Sequence, residues 1–441
     1  MALNTRIGPT AVAAALGLAA LANAGAAGAI TCAEVAQSAP GALKDHVLYG
    51  AGGSAITATL AKVALTLSKA DPPILIFYSD PGAQQGYDYF RDGTGAGKTG
   101  SEFKYWLKDA DLTTPPKCTA TDTLAGQATD FGTIGGSLAL FGETLPADTL
   151  QFFGPAQGIN VIVPKDSPEV SISAEALYFA YGFADASQYG GASSPVPWTN
   201  SAYIIQRKST SFVQQFIRGA IQQLGGEAAN FPANFKATTL TADCSPTTGD
   251  TNGGTVNCVV AAATAGQAAQ GLGFTSGPTA DGARAKVRTL AYQHVGQTAG
   301  YWPDSTPQTF DKRNIRNGQY YLWDVNQFFV KTTGSNANPT LDKITNPDLR
   351  RFIDYFSAQL TPPQDADVNR AIAETGSIPL CAMHVQRATD FSGLSCFAPP
   401  EPCDCYFEAI ATGTPSCDAC ATDEQCSGDT PKCHFGFCEA Y

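Results

Sequence analysis

Short apolar runs, each stopped by a turn of small polar residues and followed by a helical period, recur along the first half of the chain. His46–Tyr49 (HVLY) runs into Gly50-Ala51-Gly52-Gly53-Ser54, after which apolar residues recur every three or four positions over Ile56–Ser68. Pro73–Tyr78 (PILIFY) runs into Ser79-Asp80-Pro81-Gly82, again ahead of a helical stretch. Gly158–Pro164 (GINVIVP) and Ala202–Gln206 (AYIIQ) read the same way, with helical patterns over Ala174–Gly182 and Phe212–Leu224. A brief continuous apolar run bounded by turn residues predicts a strand buried on both faces. Parallel neighbours of that kind need crossover helices, so the alternation predicts an α/β chain with largely parallel sheets. Charged residues make up only 15% of the chain, and 44 glycines and 28 prolines are spread through it, which excludes a coiled coil.

Three of these strand–turn–helix junctions are candidate binding elements. A helix start offers unpaired N–H groups and the positive end of the helix dipole, both of which favour an anion. The first junction supplies Gly53, Ser54 and Ala55, the second Ser79 and Asp80. The third, Arg207-Lys208-Ser209-Thr210-Ser211, adds a guanidinium and three hydroxyls. The formal net charge is -12. A field of that sign repels nucleic acid and anionic membranes, so a bound anion must be held by local dipoles and a few placed cations.

The order of these motifs resembles the phosphate-specific periplasmic solute-binding proteins. That family opens with a strand and Gly-Ala-Gly-Ala-Thr-Phe. It continues with Tyr-x-x-x-Gly-Ser-x-x-Gly, Asp-Phe-Gly-x-Ser-Asp and Arg-x-x-Ser-Gly-Thr. Here Gly50–Ala55, Tyr78–Gly86, Asp130-Phe131-Gly132 and Arg207–Phe212 stand at those places. Trp198 ahead of a strand ending in Arg, and Gln270–Ser276 (QGLGFTS), also look like the family. The likeness covers about residues 40–380. It implies a two-lobed periplasmic-binding-protein-like fold with a hinge, lobe 1 from residues 30–145 and 300–398 and lobe 2 from 146–299. It further implies a non-enzyme that captures a small oxyanion, phosphate in the family, by hinge closure, and delivers it to a membrane ABC-type permease. Ser54, Arg207, Ser209 and Thr210 would be donors, with the N–H groups near Gly53, Ala55 and Ser211.

The departures bear on the ligand. Ala83 replaces a ligand-contacting Ser, Ser211-Phe212 replaces Gly-Thr, and Gly135 falls where the family places the Asp that accepts the proton of hydrogen phosphate. Two bare anions at hydrogen-bond distance repel, so without that acceptor sulfate, a carboxylate or an altered phosphate site all remain open. Asp80 is an alternative acceptor. The reading requires Ser54 and Arg207 to meet in a cleft that Phe212 leaves open.

Residues 1–29 read as a secretory leader: Arg6, the apolar run Ala11–Ala22, then Ala22-Asn23-Ala24 or Ala27-Gly28-Ala29 for cleavage. A periplasmic or extracellular location suits thirteen cysteines. Cys244 and Cys258 flank a polar, hairpin-like stretch and are expected to pair, as are Cys32 and Cys118. The odd count leaves one thiol free or joined to another chain. After the stiff Ala398–Pro402 stretch, residues 399–441 read as a separate disulfide-rich module, a means of surface attachment or partner contact in a non-transport alternative. Its Cys417-x2-Cys420 spacing permits zinc, but an oxidising compartment favours disulfides. Gly93–Gly100 (GTGAGKTG) lacks the first Gly of a phosphate-binding loop, Asp92 standing there. The four histidines are scattered, with no His-Glu-x-x-His, and no Gly-x-Ser-x-Gly elbow occurs. No nucleophile, base and orienting group can be assembled, and no cofactor is called for. Asp311–Tyr321 (DKRNIRNGQYY) reads as a turn or surface strand pair near the lobe junction.

Overall fold

The computed structural model describes residues 30–92, 102–119, 128–183, 197–222, 251–334, 336–357 and 366–439. After α1 (Cys32–Ser38) come β1 (Val47–Gly52), α2 (Thr57–Ser68), β2 (Leu75–Ser79) and α3 (Ala83–Asp92). A hairpin of β3 (Glu102–Lys104) and β4 (Lys117–Thr119) follows, then β5 (Phe131–Ile134) and β6 (Thr149–Pro164). β1 runs parallel to both β2 and β5, the pairing that the buried apolar runs predict.

The next stretch holds β7 (Ser171–Ser173), α4 (Ala174–Phe183), α5 (Phe212–Gln222), α6 (Asn252–Thr264), β8 (Gly273–Ser276) and α7 (Gly277–Gly282). It closes with β9 (Val287–Thr289) and β10 (Ala291–Gln293), β10 pairing with β7. The chain returns through α8 (Arg313–Arg316) into β11 (Trp323–Lys331), then α9 (Pro347–Ser357) and α10 (Ala366–Ala373). Hairpin β12 (Val385–Arg387) and β13 (Leu394–Cys396), α11 (Asp404–Thr412), and hairpin β14 (Lys432–His434) and β15 (Phe437–Glu439) complete it.

The main sheet has the order β4-β3-β2-β1-β5-β11-β6-β8, with β9 also on β6. β6 makes it two-lobed. Its first part, Thr149–Gly158, pairs with β11, whereas Ile159–Pro164 pairs with β8 and β9. One strand thus leaves the first lobe's sheet and enters the second's. Leu48, Leu60, Phe131, Phe352 and Phe356 pack between β1, β5 and helices α2, α9 and α10, and a second core runs from Tyr87, Phe90 and Phe329 through to Val161, Leu177, Phe216, Phe274 and Tyr292. The fold is a two-lobed α/β one, with disulfides gathered near its C-terminus.

Two local expectations are corrected. Ala202–Gln206 is not a strand: Ser201–Tyr203 is a 3-10 turn, and only Ile204 forms a bridge, to Leu272. The apolar run there reports burial, not strand length. The hairpin expected between Cys244 and Cys258 gives way at Thr251, which caps α6 by accepting from the Gly254 N–H at 3.0 Å. Cys258 lies in that helix and is disulfide-bonded, while Cys244 lies outside the described residues.

The segment after Ala398 begins against the body. α11 docks on the body, Cys403 and Phe407 being fully buried in the main core. Cys381–Cys403 ties its start to the body, and Cys405–Cys417, Cys420–Cys433 and Cys426–Cys438 staple the segment that follows. The Arg316 guanidinium, 1% exposed, lies 5.2 Å from the Phe407 ring and pairs with Asp404 and with Glu408 at 2.9 Å. Asp311–Tyr321 therefore folds as a short helix with turns on each side, and Arg316 is its anchor. Cys32–Cys118 forms as expected. Cys396, exposed, is the free cysteine among the described residues. No helix among them is long and apolar enough to cross a membrane.

Candidate functional site

β1 delivers the chain to the lobe junction at Gly52 and then turns tightly. A side chain at Gly52 would start 2.0 Å from the Thr133 hydroxyl, and one at Gly86 would start 2.3 Å from the Gly52 backbone. These glycines let α3 press against the β1 turn, so that the starts of α2 and α3 come side by side. Gly53 N–H donates to the Thr133 carbonyl at 3.3 Å, and Ser54-Ala55-Ile56 lead into α2. Asp80 follows β2. Its Oδ2 accepts from the Lys104 Nζ at 2.6 Å and the Thr57 hydroxyl at 2.9 Å.

The second lobe meets them with two further helix starts. Arg207, 8% exposed, precedes α5; its N–H donates to Gln214 Oε1 at 3.0 Å and its Nη1 to Asn252 Oδ1 at 2.6 Å. Asn252 is the first residue of α6, so this bond fixes the guanidinium between α5 and α6. Across the cavity, Lys208 Nζ donates to the Pro81 carbonyl and the Gln84 N–H to the Thr210 carbonyl, each at 3.3 Å.

A cavity of about 130 Å³ lies where the four helix starts converge. Ser54 and Arg207, 153 positions apart in the numbering, both line it, as do Gly53, Ala55, Asp80 and Ser211. Ser79, Ser209 and Thr210 do not. Ser79 ends β2 as a buried strand residue, Ser209 is exposed, and the Thr210 hydroxyl is buried without a partner. Lys104, Lys208, Thr251 and Asn252 line the cavity and were not singled out as ligand donors from sequence, although Lys208 sits within the third junction. The cap pattern Thr251-Asn252-Gly253-Gly254 was the available signal for α6; nothing local in the sequence aligns Lys104 with Asp80. The first-lobe turn and the second-lobe cations thus do meet. The space suits a small anion, with several times the volume one water needs.

Phe212 lines one side of the cavity and packs its ring against Gly135 and Gly136. Its ring is 2% exposed, and a side chain at Gly135 or Gly136 would start only 2.3 Å or 2.5 Å from it. The position where the resembled family carries its proton-accepting Asp is therefore filled by an aromatic ring. Behind Gly136 lies an acid pair that sequence reasoning missed: Asp324 on β11 faces Asp390, whose Oδ1 accepts from the Ser137 N–H at 2.9 Å. Burial, and then the charge of Asp390, raises the Asp324 carboxyl well above the usual carboxylate range. A proton held on Asp324 relieves the repulsion that two facing carboxylates would carry. Arg387, lying over the Tyr321 and Trp323 rings, donates to the Tyr321 and Trp323 carbonyls beside the pair.

No family model and no curated protein matches the chain. Solved structures do. One is of a protein assigned as a phosphate ABC transporter substrate-binding protein, with bound phosphate, from Clostridium perfringens. It is 12% identical, with a TM-score of 0.45, over 76% of this chain and 100% of that one. Another is an ABC-type phosphate transport receptor from Vibrio cholerae, 14% identical, TM-score 0.42, over 75% and 99%. The OxyR regulatory domain from Pseudomonas aeruginosa is also similar, at 11% identity and a TM-score of 0.35, over 70% and 96%. At such identities and scores none of these transfers a ligand to this chain.

Proposed function

We propose that the protein is an exported solute-binding protein that captures a small oxyanion between its lobes, phosphate being the reference case, and passes it to an ABC-type permease. One observation carries this reading: helix starts from both lobes, with Arg207 and Lys208, line a single cavity in a chain of net charge -12. Backbone dipoles and charge-assisted donors outweigh the repulsive long-range field at short range. Lobe 1 comprises residues 30–145 and 300–398, lobe 2 residues 146–299, and capture is closure about β6 and β11. The leader at 1–29 and the paired cysteines favour export.

A second reading, a non-transport surface protein that keeps the fold, draws on a different observation. Phe212 narrows the crevice, and the C-terminal segment is a stapled surface unit anchored through α11. Thermal shift with phosphate, sulfate and small carboxylates separates the two. At 100 times Kd a specific ligand adds about 2.7 kcal/mol. Arg207→Ala should weaken binding about tenfold to a hundredfold, the range for losing charge-assisted hydrogen bonds. No shift with any oxyanion overturns the capture reading, and an equal shift in Arg207→Ala places binding elsewhere.

A further inference from the structure

The acid pair lies one backbone position from the anion cavity. Ser211 and Phe212 line that cavity, and the Phe212 ring meets Gly136. Both carboxyls meet the same glycine: a side chain there would start 2.5 Å from the ring, 2.9 Å from Asp324 Oδ2 and 3.2 Å from Asp390 Oδ1. Asp390 also accepts from the Ser137 N–H at 2.9 Å and from the Ser137 hydroxyl, which fastens the turn to the pair. The charged groups that act on Asp324 are Asp390 and Arg387. Arg387 directs its Nη atoms to the Tyr321, Trp323 and Asp390 carbonyls, while Phe212, Gly135, Gly136 and Ser137 bring no charge. The pair also lines a second cavity, of about 270 Å³, whose lining includes the exposed residues Phe153, Gln386 and Ala388. A proton can reach the pair through water in that cavity while the anion cavity is filled.

Resting on the oxyanion-capture reading, we infer that anion capture is linked to a proton: a proton kept on Asp324 holds the Gly136 turn and Phe212 in the arrangement that binds, and its loss weakens the hold on the anion. With that proton in place the pair carries one negative charge. Without it, two carboxylates face each other in a buried contact and can separate by displacing the Gly136 turn, against which the Phe212 ring packs. A second negative charge beside the cavity also opposes an incoming anion directly. Burial and the Asp390 charge favour the protonated Asp324 at a pH where exposed carboxyls have ionised. The coupling is reciprocal, so a bound anion favours the protonated pair and binding takes up a proton wherever the empty protein has lost it.

Calorimetric titration of the wild-type chain and of Asp324→Asn with sulfate, phosphate and acetate, each at about pH 5 and about pH 9, tests this. The amide in Asp324→Asn can donate to Asp390 and never ionises, and any titration of the anion itself cancels in the ratio of the two affinities. For an anion that binds, the two proteins are expected to be nearly equal at the lower pH. At the higher pH the variant is expected to bind about fivefold or more tightly than wild type, the lower end of couplings between sites. A ratio that is the same at both pH values overturns the inference and leaves oxyanion capture standing. Failure of all three anions with both proteins removes oxyanion capture and the inference with it. Should Asp324→Asn not fold, as judged by circular dichroism, Asp390→Asn takes its place with the same expectation, since it too leaves one ionisable carboxyl in the pair.

Discussion

Gly135 and Phe212 are a matched pair, and the match is steric. With a side chain at 135 starting 2.3 Å from the ring, even a methyl group overfills the space. Overpacking of this kind costs about 1–3 kcal/mol. Gly135→Ala is expected to lose that much in denaturant unfolding, and to lose little when introduced into a Phe212→Ala chain, since the two share one volume. Additive losses would show that the ring does not occupy the glycine's space. The acid pair behind them has a pH signature. The Asp324 carboxyl is raised above its unfolded value. Its contribution to stability is therefore fully present below the ordinary Asp pKa of about 3.9 and is lost as pH rises through its elevated folded value. Asp324→Asn can still donate to Asp390 and carries no charge, so it should gain in melting temperature relative to wild type as pH rises from 4 to 8. A difference that does not change with pH would contradict a proton held on Asp324.

Elements differ in how plainly the sequence announced them. PILIFY and GINVIVP read correctly because apolar side chains on both faces of a strand leave no other short solution. The first part of β6 did not, since Gly154 and Pro155 lie inside it. The strand tolerates Pro155 at a register shift between Val325 and Gln327, where the Asn326 side chain donates to the Pro155 carbonyl at 2.8 Å. Tertiary geometry of this type has no local signal. α11 was hidden differently: seven cysteines from Cys403 onward drew the eye to disulfides, while the features that dock the helix, Phe407 and the pair Asp404 and Glu408, answer to Arg316 about 90 positions earlier. Glu439, fully buried, accepts from the Cys405 and Tyr406 N–H groups at the helix start. Ending the chain at Pro402, with Cys381→Ser, would strand the buried Arg316 without its carboxylates, a loss of about 3–5 kcal/mol. Ending it at Gly413, with Cys405→Ser, keeps α11 and loses chiefly its cap, about 1 kcal/mol. Equal unfolding midpoints for the two truncations would mean that α11 is not part of the body.

At the scale of the molecule, a chain with a net charge of -12 gathers Lys104, Arg207 and Lys208 around one cavity and points helix starts from both lobes at it. The motif turns were legible as anion-binding elements one by one. Their convergence was supported by the order of the motifs, whereas the contributions of Lys104 and the α6 start belong to tertiary structure alone. Bonds between the lobes at Pro81 and Thr210 close one side of the cleft, and β6 and β11 join the lobes in a shared sheet. Hydrogen exchange with and without a saturating oxyanion reads this arrangement directly. One ligand should slow exchange together at the N–H groups of residues 53–57, 82–86, 208–213 and 252–255. Protection confined to one of these segments, or absent from all four while calorimetry reports binding, would contradict a single cleft shared by both lobes.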